Sequence, residues 1–155
     1  DAAAARPPVP APSHPAAADD RLILVLDDEP AVRQTLCEHL HQLGYLTLEC
    51  ATGEEALALL HQTPDIDLLI SDLMLPGEIN GAEVIRQAQQ KWPQLATLLI
   101  SGQDLRHQPV TLPLCERLAK PWQAAQLVEA LQRACQRSAR LNRARQAATT
   151  APVSQ

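Results

Sequence analysis

Four separated stretches of this chain carry residues able to do chemistry together: Asp27-Asp28-Glu29, Asp72, Ser101 and Lys120-Pro121. Taken singly, each has an ordinary reading. Asp27 and Asp28 suit a helix N-terminus, Asp72 a turn, Ser101 the end of a strand, and Lys120 a solvated surface. As a group they share one requirement. Two like charges about 4 Å apart repel by about 4 kcal/mol at an effective dielectric near 20, so clustered carboxylates need a cation. Asp27, Asp28 and Asp72 against Lys120 leave two negative charges, which one divalent ion would neutralise. Oxygen ligands select a hard cation, and Mg²⁺ suits a site with few carboxylates that keeps its waters. Neither Cys nor His stands at these positions, which argues against zinc. The same set fits phosphoryl transfer, where catalysis is mostly positioning and charge neutralisation. Asp72 is the candidate carboxylate nucleophile. Asp28 would hold the metal, helped by Asp27 through water, and Lys120 and Ser101 would meet the remaining phosphoryl oxygens.

These residues share a site only if the chain delivers them to one edge, and the hydrophobic pattern does so. Leu22-Ile23-Leu24-Val25-Leu26 is a continuous apolar run ending in acids, the mark of a strand buried on both faces. Pro30 suits a first helical turn, Val32, Leu36, Leu40 and Leu43 follow at helical spacing, and Gly44 closes the helix. Tyr45 to Glu49 reads as a second strand. Thr52 and Glu55 have capping-box spacing and open a helix with Ala56, Leu59 and Leu60. Leu68 to Asp72 is a third strand, Asn80 caps a helix bearing Val84, Ile85 and Ala88, and Thr97 to Ser101 is a fourth strand. Pro109 and Pro113 interrupt the stretch from Gly102 to Leu114, so the fourth helix is expected to be short or irregular. Glu116 to Ala119 is a weak fifth strand. A last helix starts near Trp122, with Leu127, Val128, Leu131 and Cys135 inward. Alternating strands and helices predict an α/β fold with a parallel sheet covered on both faces. Ligands bind such sheets beyond the carboxyl ends of the strands, and the acids, the hydroxyl and the ammonium stand at those ends.

Composition narrows the class. The 155 residues carry a net charge of −5 with 46% hydrophobic residues, which fits one globular domain. No apolar run reaches the roughly eighteen residues of a membrane span, and residues 1–20 lack the pattern of a signal peptide. Those twenty residues are rich in Ala and Pro and read as a semi-rigid linker, with the domain at 21–137 and a basic, then polar, tail at 138–155. A start at Asp1 without Met suggests a segment of a longer protein. Mild acidity argues against nucleic acid as a partner of the whole domain. The arginines from Arg133 to Arg145 read as a solvated helix face. Cys37, Cys50, Cys115 and Cys135 lack metal-type pairing and read as reduced, semi-buried fillers in a cytoplasmic protein. His39 and His41 read as helix-surface residues.

Leu24-Val25-Leu26-Asp27-Asp28-Glu29-Pro30, Ser71-Asp72-Leu73-Met74-Leu75-Pro76-Gly77, Ile100-Ser101-Gly102 and Ala119-Lys120-Pro121-Trp122 together resemble the receiver domains of bacterial two-component systems, over residues 21 to about 137. The resemblance implies a flavodoxin-like fold with strand order 2-1-3-4-5, an order that the chemotaxis receiver also illustrates. It implies phosphorylation of Asp72 by a histidine kinase or histidine phosphotransfer domain, with Mg²⁺ held by Asp27, Asp28, Asp72 and the backbone carbonyl of Met74. A domain of this kind catalyses its own phosphorylation and dephosphorylation. Gly77, Asn80 and Gly81, with the linker and the lack of an output domain after Arg145, resemble receivers at the C-terminus of hybrid histidine kinases. The parent would then be cytoplasmic or membrane-attached, with no direct membrane contact by this domain. The alternative is a pseudo-receiver that only binds proteins, which would be expected to lose Asp72, Lys120 or the acidic pair. A dehalogenase-like phosphatase would need an acid where Met74 stands, and a flavodoxin-type cofactor binder would need a Ser/Thr-rich loop after the first strand. Arg117 stands three residues before Lys120, where receivers usually carry Tyr or Phe as a switch. Burying an unpaired guanidinium is costly, so Arg117 is expected to stay solvated or paired with an acid. The domain is then expected to switch little, to remain monomeric, and to act as a phosphoryl relay or sink.

Overall fold

The apolar run after Arg21 forms β1 (Leu22–Leu26), and Pro30 opens α1 (Pro30–Gln42) at its first position. The chain continues through β2 (Leu46–Cys50), α2 (Gly53–Gln62), β3 (Ile66–Asp72), α3 (Gly81–Lys91), β4 (Ala96–Ser101), β5 (Glu116–Ala119) and α4 (Ala124–Thr150). The computed structural model describes residues 21–102 and 115–150. The linker assigned to residues 1–20 and the irregular helix expected between Gly102 and Leu114 lie outside the described residues. All strand pairs are parallel and the five strands run in the order β2-β1-β3-β4-β5. This is the flavodoxin-like order expected from the sequence.

Burial of both faces explains the continuous apolar strands. Ile23, Val25, Leu68, Ile70, Leu98 and Ile100 face one layer with Leu36 and Leu40 of α1 and Leu127 and Leu131 of α4. Leu24, Leu26, Leu69 and Leu99 face the other layer with Ala56 and Leu60 of α2 and Val84 and Ile85 of α3. Neighbouring residues of one strand therefore serve opposite cores.

Local chemistry sets the helix ends. Gly44, at φ 98°, supplies the left-handed turn after α1. The Thr52 hydroxyl accepts from the Glu55 amide, and the Glu55 carboxylate accepts from the amide of Ala51 just before the cap, a variant of the capping box. Asn80 Oδ1 accepts from the Glu83 amide at the start of α3.

The bounds of β2, β3 and β4 differ from expectation by one or two residues, β4 beginning at Ala96. β3 begins two residues earlier, at Ile66, because a register shift between Leu22 and Ile23 lets exposed Asp67 bulge outward, and Asp67 Oδ2 accepts from the Leu22 amide. β2 is displaced by one residue, ending at buried Cys50. The last helix runs to Thr150, carrying the arginines read as a helix face and continuing through most of the stretch assigned to a basic, then polar, tail. Ala and Arg are strong helix formers, and Ser138 Oγ donates to the Gln94 carbonyl, pinning the helix against the turn before β4. Arg133 and Arg137 also pair with Glu116 of β5, at 3.0 and 3.6 Å.

Removing the Thr52 hydroxyl orphans an amide at the start of α2. Thr52→Ala is expected to lower stability by about 1 kcal/mol. Urea unfolding should show a lower midpoint with an unchanged slope.

Candidate functional site at the carboxyl edge of the sheet

Because β1, β3, β4 and β5 are parallel neighbours, their C-terminal ends share one edge. Main-chain bonds tie adjacent ends together: the Asp27 amide donates to the Cys50 carbonyl at 3.2 Å, Leu73 to Ile100 at 2.8 Å, and Lys120 to Ser101 at 2.7 Å. Asp27 and Asp28 follow β1, Asp72 closes β3, Ser101 closes β4, and Lys120 follows β5. One carboxylate oxygen from each of Asp27, Asp28 and Asp72 lies within 4.8 Å of the others. Lys120 Nζ stands 3.2 Å from Asp72 Oδ1. Ser101 is buried at the end of β4. Met74 lies in the loop after β3 with its side chain 58% exposed, so the loop uses no Met74 packing to hold its place. The Lys120–Pro121 peptide is cis.

Burial and charge act together here. Asp27 is 3% and Asp72 8% exposed, whereas Asp28 is exposed. Burial holds the Asp72 carboxyl above its ordinary range, Lys120 opposes this, and Asp27 and Asp28 add to it. Burial likewise raises Asp27, against the Glu29 amide and Lys120, with Asp28 and Glu29 adding to the rise. The cluster is therefore short of positive charge, and one ammonium does not satisfy it. All three side chains offer oxygen, so the donor set fits a hard divalent cation such as Mg²⁺.

Three residues that shape this edge were not legible as site residues. The Arg33 guanidinium donates to the Asp27 carbonyl at 2.6 Å. The buried Ser71 hydroxyl donates to the Asp72 carbonyl at 2.9 Å. Gly81, the first residue of α3, lies so close to β3 that a Cβ there would sit 1.9 Å from the Asp72 carbonyl oxygen. Each acts on main chain, and no side-chain motif announces such contacts. The spacing of Gly81 after the Asn80 cap was the one available signal.

Trp122 is half-buried near the site and meets His39 edge-on at 5.3 Å. Trp92 borders Ile66 and Asp67 at the opposite edge. Arg117 is exposed on edge strand β5. Cys37, Cys50, Cys115 and Cys135 are free thiols.

The fold and this edge define a receiver domain, and the chain belongs to that family: the response regulator receiver domain model matches residues 23–132. Receiver domains accept phosphoryl groups on an aspartate and generally bind Mg²⁺ in an acidic pocket. The positive alginate biosynthesis regulatory protein of Pseudomonas aeruginosa is 34% identical over 135 residues, covering 84% of this chain and 52% of that protein. Sensor kinase CckA of Brucella abortus is 31% identical over 81 residues, covering 52% of this chain and 8% of that one. The chain thus spans about half, or much less, of these curated relatives. Among solved structures, the response regulator protein TrrA of Thermotoga maritima in complex with Mg²⁺-BeF is 30% identical with a TM-score of 0.66, covering 74% of this chain and 98% of that one. A receiver domain protein from Clostridium thermocellum is 27% identical with a TM-score of 0.68, covering 78% and 98%.

The Gly81 contact yields a sharp expectation. A methyl group has no room against strand backbone, so Gly81→Ala must push α3 away from β3. Overpacking of this kind costs about 3 kcal/mol, and thermal unfolding of Gly81→Ala should show a large fall in midpoint.

Proposed function

We propose that this domain takes a phosphoryl group from a phosphohistidine onto Asp72 in a Mg²⁺-dependent reaction, as a step of two-component signalling. The observation that carries the reading is Asp72 between Lys120, 3.2 Å away, and the paired acids Asp27 and Asp28. Asp72 Oδ attacks phosphorus, the P–N bond to the donor imidazole breaks, and its electron pair returns to the ring nitrogen, which takes up a proton. The product is an acyl phosphate on Asp72 and a neutral histidine. Lys120 meets the charge on the phosphoryl oxygens, and the Ser101 hydroxyl hydrogen-bonds another of them. Asp28, Asp72 and the Met74 carbonyl would hold the Mg²⁺, with Asp27 acting through water; the ion would supply charge neutralisation on the transferring group.

The donor is a histidine kinase or a histidine phosphotransfer domain. We further propose that the domain works inside a hybrid histidine kinase phosphorelay. The match to a sensor kinase supports this, while the alginate regulator and the alkaline phosphatase synthesis transcriptional regulator PhoP of Bacillus subtilis are regulatory proteins by name. The proposed location is the cytoplasm; among the described residues no helix is long and apolar enough to cross a membrane. Retention of Asp72, Lys120 and the acidic pair speaks against a purely protein-binding role.

Incubation with Mg²⁺ and a small phosphodonor should add one phosphoryl group, read by intact mass, and Asp72→Ala should abolish it. A label persisting in Asp72→Ala overturns the assignment.

The exposed Arg117 bears on output. The usual aromatic filler is missing, and an unpaired guanidinium does not enter an apolar slot. The proposed behaviour is a monomeric relay or sink. Sedimentation of the beryllofluoride-Mg²⁺ complex should give the mass of the monomer, and dimerisation would show this reading to be wrong.

A further inference from the structure

Asp27 is held by all of its main-chain polar groups and by half of its carboxylate. Its amide donates to the Cys50 carbonyl at 3.2 Å, its Oδ1 accepts from the Glu29 amide at 2.9 Å, and its carbonyl accepts from Arg33 Nη1 at 2.6 Å. The Arg33 bond spans from the first turns of α1 back to the end of β1. Arg33 is itself fixed, because its Nε donates to Glu49 Oε1 at 3.0 Å, and Glu49 belongs to β2. Three elements thus converge on one guanidinium. Its side chain is 18% exposed against 47% for Glu49, so the end that grips the Asp27 main chain is the sheltered one.

We infer that Arg33, anchored by Glu49, is a positioning residue for the acidic cluster: it fixes the peptide between Asp27 and Asp28 and so sets the direction of both carboxylates. This rests on the reading of the cluster as a Mg²⁺ site. A guanidinium can grip a carbonyl with one nitrogen and a carboxylate with another because its donors form a rigid fork. Lysine carries the same charge on a single nitrogen and cannot hold both partners in this geometry.

Charge and position predict opposite signs here. Arg33 is a cation near a proposed cation site. If only its charge mattered, removing it would tighten Mg²⁺ binding. If it positions the loop, removing it loosens binding, as loss of partners behind metal ligands typically does by tenfold or more.

The test is calorimetric titration of MgCl₂ into the unphosphorylated protein. Arg33→Ala and Arg33→Lys are each expected to weaken Mg²⁺ affinity about tenfold, and Glu49→Gln to weaken it less, since the carbonyl bond can persist without its anchor. Unfolding midpoints separate folding from positioning: a lowered midpoint with unchanged Mg²⁺ affinity means a stabilising role alone and overturns the inference. Tighter binding in Arg33→Ala, or wild-type affinity in Arg33→Lys, also overturns it. Should Arg33→Ala fail to fold, the Arg33→Lys and Glu49→Gln titrations decide. Asp28→Ala, titrated in parallel, tests the underlying reading. Unchanged affinity there defeats the Mg²⁺ site itself, whereas loss there with no effect at Arg33 defeats only the positioning role.

Discussion

Carboxylates of Asp27, Asp28 and Asp72 held within 4.8 Å of one another repel, and two of the three are also withdrawn from water. Each would relax outward if its backbone allowed it. The molecule prevents this by placing the acids on the ends of adjacent strands, whose interiors are buried in two layers. Moving Asp72 outward would slide Leu69 and Ile70, both fully buried, out of close-packed surroundings that tolerate little displacement. The sheet interior therefore supplies the force that keeps the three acids together.

The same constraint explains the attention given to main-chain carbonyls at this edge. A strand fixes residues up to its last hydrogen bond, and the reacting side chains lie at or just past that point. Arg33 holds the carbonyl of Asp27, Ser71 that of Asp72, and the Lys120 amide that of Ser101. Three consecutive strand ends are thus braced by three different donors. Gly81 adds a wall against the Asp72 carbonyl, which ties the start of α3 to the end of β3.

Much of this was legible in the sequence. The apolar runs at Leu22–Leu26 and Leu68–Ile70 declared strands buried on both faces, Thr52 and Asn80 declared helix starts, and the acids, hydroxyl and lysine at strand ends declared one shared edge. The failures have physical causes. Asp67 hid the start of β3, because a charged residue inside a strand looks like a boundary unless a bulge carries it outward. The reach of α4 to Thr150 was legible only through its arginines, since its second half rests on helix propensity and a few anchoring bonds rather than on apolar periodicity. Arg33 and Ser71 were missed because a bond to a carbonyl has no partner side chain to pair with in the sequence.

The edge with the chemistry and the face that would report it are built differently. Asp72 and its neighbours are fixed by buried strands and short main-chain bonds. β5, by contrast, is an edge strand of four residues with only Leu118 buried, and its exposed Arg117 stands where an apolar ring would couple the site to the surface. Ion pairs from Arg133 and Arg137 to Glu116 hold β5 to α4, and pairs this exposed contribute little stability. The acidic edge can thus keep its geometry while the exposed face of β5 diverges, because few of the contacts that hold Asp72 pass through β5. The exceptions run through Lys120, whose ammonium lies 3.2 Å from Asp72 Oδ1 and whose amide donates to the Ser101 carbonyl, so Lys120 links the end of β5 to the acids.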